Sequence, residues 1–466
     1  MIVPGAQPGA PSRVRILNLL PSLAWLVPMI SIPLLASCST RQHPPKGVIL
    51  IVVDTLRRDA LGVHGGPPGI TPNLDRWSEE GIRFDQAIAH ASWTLPSTAS
   101  ILTGLFPAHH GASGSFSGEF RGVGDEVVTL AERLSTAGFR THAVVNGTFA
   151  SPKFGLDRGF EEYDFDTGSN NRIRRADKTL RAAIEWMSTL EEADRFLLYL
   201  HLFDPHLNYD PPPSTLGRFT GDYRGSLSPP FGELLSLRAG ESALDAEDRR
   251  FARGLYYEEV AALDATIGVL DSWLESKGLD EEVLLIVTSD HGEEFWEHGG
   301  FEHGHTLYDE LLRIPLIVRP PSGGSRGEVV GEQVTQADLV PTILRSLGLP
   351  IDAGLDGQPL LSDRFAPVPI DEATAAPTAG LLNSAQGSGK ALRAEGWKAI
   401  FWDSGEWDLY DLRTDPEERN DLSAARGEVL QRLAERREDL LNPREGSPVS
   451  IDENTRDRLR ALGYLE

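Results

Sequence analysis

The chain has 466 residues, with 44 Lys and Arg against 69 Asp and Glu, for a formal net charge of −25 at pH 7. Hydrophobic residues at 40% and charged residues at 24% describe a globular chain with a sizeable core, and exclude a polytopic membrane protein and a mostly disordered one. The acid surplus leaves no basic face for a nucleic-acid backbone, and a single cysteine excludes an intrachain disulfide or a zinc cluster of several thiolates.

Residues 1–37 are expected to form a signal peptide. Arg13 and Arg15 precede an apolar run from Ile16 to Ala36, a charged segment followed by a hydrophobic one. Pro21, Pro28 and Pro33 interrupt the run and disfavour a stable spanning helix. It ends in Leu35-Ala36-Ser37-Cys38, which resembles the lipobox of bacterial lipoproteins. That resemblance implies cleavage before Cys38 and a lipid on its sulfur. The expected location is then the bacterial cell envelope, membrane-anchored and facing the periplasm or exterior. A plain signal peptide, or an uncleaved anchor with an incidental cysteine, is the alternative. Residues 38–46 read as a polar tether.

From residue 47 to 361 apolar runs alternate with amphipathic segments, the pattern of an α/β domain with a mostly parallel sheet and helices on both faces. Strands are expected at Val48 to Val53, Thr141 to Val145, Phe196 to Leu200 and Val283 to Thr288. Helices are expected at Thr71 to Gly81, Val127 to Ala137, Lys178 to Leu190 and Ala252 to Ser276. Pro211 to Leu244 reads as a surface excursion, and 362–390, rich in Ala, Pro, Ser and Gly, as a linker. Residues 391–466 follow as a small subdomain, with short antiparallel strands within Ala391 to Asp411 and a helix from Glu428 to Leu441.

Polar residues gather after the strands. The first runs into Asp54 and the second into Asn146; the third leads to His201, Asp204 and His206, and the fourth to Asp290 and His291. Open α/β sheets place ligands at these carboxyl ends, so a shared site is expected. Thr94, ahead of Pro96 and Ala99 to Leu102, stands at a helix entrance. There its hydroxyl serves equally as an N-cap or as a reactive group beside an anion.

These motifs together resemble the sulfatase family of the alkaline phosphatase superfamily. The resemblance rests on Ile51-Val52-Val53-Asp54, Thr71-Pro72-Asn73-Leu74-Asp75, Thr94-Leu95-Pro96-Ser97 running to Leu102-Thr103-Gly104, Asp204-Pro205-His206 and Thr288-Ser289-Asp290-His291-Gly292-Glu293. Leu307-Tyr308-Asp309-Glu310 and Arg313-Ile314-Pro315-Leu316 extend it. It implies a hydrolase with Asp54, Asp290, His291 and Thr94 on one divalent cation, Thr94 as nucleophile, and His206, His303 or His305 at the substrate or its leaving group. Asn146, Asp204 and His201 are the remaining expected substrate contacts. Oxygen donors with one imidazole leave calcium, magnesium, manganese and zinc open. The Asp204 to His206 spacing argues against a second metal.

Sulfatases of the main class convert a cysteine or serine at the signature's first position to formylglycine. Here it is Thr94, the family arginine after it is Thr98, the expected family lysine is Asn146, and the second acid beside Asp54 is Thr55. A threonine ester cannot eliminate to an aldehyde and must be attacked by water at sulfur or phosphorus. That favours phosphoryl transfer, and the lost cations favour a monoanionic diester. Sulfate-ester hydrolysis without formylglycine, and a catalytically weak envelope module binding glycan or lipid, are the other readings. The expected partner is a small, glycan-linked or lipid-linked anionic ester, with the membrane met through Cys38. His109 and His110 are expected in a loop, one of them orienting the signature helix.

Overall fold

The computed structural model describes residues 43–114, 119–168, 173–227, 244–322, 324–368, 376–379, 389–440, 446–461 and 465. The expected signal peptide, Cys38 and most of the tether lie outside the described residues. Among those described, no helix is long and apolar enough to cross a membrane.

Eight strands form the central sheet: β1 (Gly47–Val53), β2 (Ile82–Ile88), β3 (Arg140–Asn146), β4 (Glu162–Asp166), β5 (Phe196–Leu202), β6 (Val283–Ser289), β7 (Arg313–Arg319) and β8 (Glu328–Thr335). Their order is β8-β2-β7-β6-β1-β5-β3-β4. Only β7 runs against its neighbours, and every other pairing is parallel. The mixed, mostly parallel sheet expected from the alternation of apolar runs is therefore present.

Every residue of β1 is buried, and alternate side chains serve different cores. Val48, Leu50 and Val52 pack with Leu95, Ala99 and Ile101 on one face. Ile49, Ile51 and Val53 pack with Leu255, Val260 and Leu270 on the other. An unbroken apolar run is what burial on both faces requires.

Expected helices occur at Pro72–Glu80, Leu130–Thr136, Ala176–Met187, Ala246–Lys277 and Gly427–Leu440. The second begins later than Val127 because Thr129 and Glu132 form a capping box. The fourth begins well before Ala252: Asp245 accepts from the N–H groups of Glu247 and Asp248, closing a second box, and Gly278 in the left-handed region ends the helix. Pro315 sits inside β7, where a register shift between Ile314 and Leu316 accommodates it.

Four antiparallel strands make the small sheet: β9 (Ala376–Ala379), β10 (Gly389–Ala394), β11 (Trp397–Trp402) and β12 (Trp407–Asp411). β9 falls inside the 362–390 stretch read as linker from composition. The Gly427–Leu440 helix covers this sheet through Val429, Leu430 and Leu433 against Leu392, Ala399 and Leu409.

The small sheet is tied to the main one by a buried charge cluster. Lys398 on β11 is fully buried, with its Nζ 3.0 Å from Asp309 Oδ1 and 2.8 Å from Glu418 Oε1. The Asp309 N–H donates to Glu418 Oε2 at 2.6 Å. Removing Lys398 leaves buried Glu418 facing Asp309, with only Arg393, 3.5 Å from Asp309 Oδ2, to offset the two carboxylates. Lys398→Met should cost about 3–5 kcal/mol in urea unfolding; a loss below about 1 kcal/mol would mean that the cluster contributes little.

Candidate active site

β1 and β6 are paired in parallel with Val53 opposite Ser289. The next residue of each is an aspartate, so register alone brings Asp54 and Asp290 side by side at the carboxyl edge of the sheet. Thr55 then takes a left-handed backbone (φ 56°), strained for a β-branched residue, and its N–H donates to Asp290 Oδ1 at 3.2 Å. The His291 N–H donates to the same oxygen at 2.8 Å. Ser289 Oγ accepts from the Leu56 N–H (3.0 Å) and donates to the His291 carbonyl (2.6 Å), bracing one strand end against the other. Gln336 adds a donor to the Asp290 carbonyl at 2.7 Å.

His291 donates from Nδ1 to the Gly292 carbonyl at 2.9 Å. Its Nε2 therefore faces the acids, 3.6 Å from Asp54 Oδ1 and 3.5 Å from Asp290 Oδ2. Thr94 is the first residue of the Thr94–Thr103 helix, with Trp93 as N-cap and no side-chain cap bond. Instead of capping its own helix, its hydroxyl lies 3.4 Å from His291 Nε2. The free N–H groups of the helix entrance and its dipole favour negative charge there. His110, pushed down to about 3 by burial and then by His90, meets Ser100 on this helix at 3.1 Å.

Both acids are buried, and the pair is unequal. Burial, then the charges of Asp290 and Glu293, raise the Asp54 pKa well above the usual carboxylate value. Burial also pushes Asp290 upward, but His291 and His201 outweigh it and hold this carboxyl at about 2. Asp54 Oδ1 and Asp290 Oδ2 have no hydrogen-bond partner. Ligand atoms of Asp54, Asp290 and His291 all lie within 4.8 Å of one another. Orphaned buried carboxylate oxygens converging with an imidazole fit a divalent cation, which would remove the repulsion between them. Among the described residues, no Lys or Arg pairs with Thr94, Asp54, Asp290 or His291; only imidazoles do.

The remaining expected residues divide. His201, on β5 and fully buried, places Nε2 3.8 Å from both Asp54 Oδ2 and Asp290 Oδ2. The His303 ring centre lies 4.5 Å from that of His291 and 4.9 Å from that of His206. His206 donates from Nδ1 to the Leu207 carbonyl at 2.6 Å and stacks on Phe203. Burial, then His303, push it down to about 3, so it is neutral at neutral pH. His305 turns to Glu294 Oε2 at 2.8 Å, and no contact with Thr94 or the acids is recorded among the described residues. Asn146 receives Arg174 Nε at 2.9 Å, and its amide donates to the His201 carbonyl at 2.5 Å. Asp204 accepts the Ala176 N–H at 2.6 Å, at the start of the Ala176–Met187 helix.

Glu293 and Glu294, which the sequence reading left without a role, each hold one of the expected histidines, His303 and His305. Glu293, fully buried, binds His303 Nδ1 at 2.8 Å and accepts from the Tyr209 hydroxyl at 3.1 Å. The available signal was two carboxylates directly after the Asp290-His291 pair, with imidazoles about a dozen positions further on.

A doubly covered α/β sheet carries acids, imidazoles and a helix-entrance hydroxyl at its carboxyl edge, with Asp54, Asp290 and His291 placed so that they could hold a metal ion. The sulfatase family model matches residues 46–349. N-acetylglucosamine-6-O-sulfatase of Bacteroides thetaiotaomicron is 25% identical over 85% of this chain and 86% of its own length. Human arylsulfatase A is 28% identical over 68% of each chain. Among solved structures, the phosphonate monoester hydrolase of Agrobacterium radiobacter superposes with a TM-score of 0.68 at 20% identity, covering 85% of this chain and 95% of its own. A protein solved with its substrate D-glucosamine-2-N,6-O-disulfate gives 0.67 at 21%, covering 85% and 97%. The chain belongs to the sulfatase family and is a hydrolase acting on ester bonds.

A cation at the acid pair binds the folded state only, so it should raise the melting temperature. At a concentration 100 times its Kd the gain is about 2.7 kcal/mol. Thermal unfolding after chelation and readdition of each divalent ion should show the rise, and Asp290→Asn should abolish it. An equal rise in the variant would place the ion elsewhere.

Proposed function

We propose that the protein is a metal-dependent hydrolase of anionic sulfuric or phosphoric esters in which Thr94 is the nucleophile, with phosphodiesters the preferred class. The observation that carries this reading is the Thr94 hydroxyl, turned away from capping and set 3.4 Å from His291 beside two buried aspartates. Asp54, Asp290 and His291 would hold a divalent ion, which would supply Lewis-acid stabilisation of negative charge developing at the reaction centre.

The chain's own groups do the rest. The helix entrance orients Thr94 and favours the anionic centre it attacks. Glu293 holds His303 through Nδ1 and stabilises the positive charge that develops when the ring carries a proton. That suits His303 to protonating the leaving oxygen. His206 donates its Nδ1–H to the Leu207 carbonyl and sits 4.9 Å, ring centre to ring centre, from His303, a place from which it orients the water that attacks the threonine ester. The scarcity of cationic partners around Thr94 supports a monoanionic diester over a dianionic monoester.

Sulfate-ester hydrolysis is the second reading, favoured by curated relatives named as sulfatases, one of them active on N-acetylglucosamine-6-O-sulfate as its name states. The envelope setting belongs to this proposal too: Leu35-Ala36-Ser37-Cys38 supports a lipid-tethered protein facing the periplasm or exterior.

An aryl sulfate, an aryl phosphate and a bis-aryl phosphate, each with calcium, magnesium, manganese or zinc, test the chemistry. The diester should turn over fastest, and Thr94→Ala should lower its rate by at least about 10³-fold. Sulfate turnover surviving that substitution would overturn the nucleophile assignment. Glu293→Gln should lower kcat by about 10²-fold or more while leaving KM nearly unchanged. A change in KM alone would mean that Glu293 serves binding.

A further inference from the structure

We propose that His201 is a further ligand of the divalent ion, its Nε2 joining Asp54, Asp290, His291 and Thr94. This rests on the metal reading of the site above.

His201 is fully buried one residue from the carboxyl end of an otherwise apolar strand, Phe-Leu-Leu-Tyr-Leu-His-Leu, and neither ring nitrogen has a hydrogen-bond partner. Burying an imidazole without partners costs on the order of 1–3 kcal/mol, which an aliphatic residue at this position would avoid. The geometry supplies the compensation. Nε2 stands 3.8 Å from Asp54 Oδ2 and 3.8 Å from Asp290 Oδ2, beyond hydrogen-bonding distance from either. Two donors bound at 2.0–2.4 Å to one ion, at angles of roughly 90–110°, stand about 3–4 Å apart. The other spacings in the cluster fall in the same interval: 3.6 Å and 3.5 Å from His291 to the two acids, and 3.4 Å from His291 to Thr94. His201 thus stands at ligand spacing from the Oδ2 atoms of both aspartates, on the β5 side of the Asp54, Asp290 and His291 trio whose ligand atoms all lie within 4.8 Å of one another.

The assignment has consequences for the ion and its charge. Two carboxylates neutralise a divalent cation, and a second imidazole adds a donor without adding charge. An anionic ester then approaches a site that is not already net negative. Two imidazoles also move the preference from calcium and magnesium toward manganese or zinc.

The test uses the full chain loaded with manganese. Electron spin echo modulation with ¹⁵N-histidine labelling counts the imidazole nitrogens coupled to the ion. Two are expected in the wild type and one in His201→Gln, and calorimetric Mn²⁺ affinity should fall by at least about tenfold in the variant, the loss common even for residues that only touch a ligand. Circular dichroism checks that the variant folds, and the wild-type nitrogen count stands without it. A single coupled nitrogen in wild-type protein whose Mn²⁺ binding is abolished by Asp290→Asn would overturn the His201 assignment alone. Wild-type protein that binds no divalent ion would overturn the metal reading together with it.

Discussion

Two carboxylates that repel each other in a buried place organise this molecule. Asp54 and Asp290 meet because β1 and β6 are adjacent, parallel and in register, with Val53 opposite Ser289. Every bond around them keeps them there: Ser289 braces both strand ends, Gln336 holds the Asp290 carbonyl, and Thr55 adopts a costly backbone to deliver its N–H. Such an arrangement is unfavourable in isolation. Its persistence is intelligible if the repulsion is a reservoir released by a cation, with the two apolar cores on either face of β1 supplying the rigidity that keeps the acids from separating.

Around that centre the polar groups fall into two tiers. Imidazoles and a hydroxyl face the acids directly, while the arginines nearby are engaged elsewhere. Arg57 is taken by Asp59 and Glu297, and Arg174 by Asp164 and Asn146. The site therefore draws positive character from helix-entrance N–H groups and from whatever ion it binds. This is a lean arrangement for an anionic substrate, and it makes the chemistry depend closely on the donors that fix the ion. Glu293 illustrates the second tier: it holds His303 and is itself held by Tyr209.

The central sheet was legible from sequence where strands are buried on both faces, because β1, β5 and β6 are unbroken apolar runs. β2, β7 and β8 are harder to read: Arg83, Asp85 and Gln86 interrupt the first, Pro315 the second, and Glu328, Glu332 and Gln333 the third. β9 has no hydrophobic signature at all and is defined by pairing to β10. At the site, position after a strand sufficed to find Asp54, Asp290 and His291, since register alone brings them together. It could not distinguish residues that face the acids from residues spent on backbone. Asn146 and Asp204 follow strands in the same way, and hydrogen bonds to the His201 carbonyl and the Ala176 N–H engage them instead. Helix starts were misplaced where a cap lay outside the apolar period, as at Asp245.

The buried Lys398 cluster also sets an order of events. Asp309 follows directly on the segment carrying His303 and His305, yet its partners Lys398 and Glu418 lie 89 and 109 positions further along the chain. During synthesis Asp54, Thr94 and Asp290 emerge long before that segment can be pinned. The segment carrying His303 and His305 is thus anchored at its Asp309 end only once the small sheet has formed, and a chain interrupted between them would keep the acid pair and Thr94 while losing that anchor.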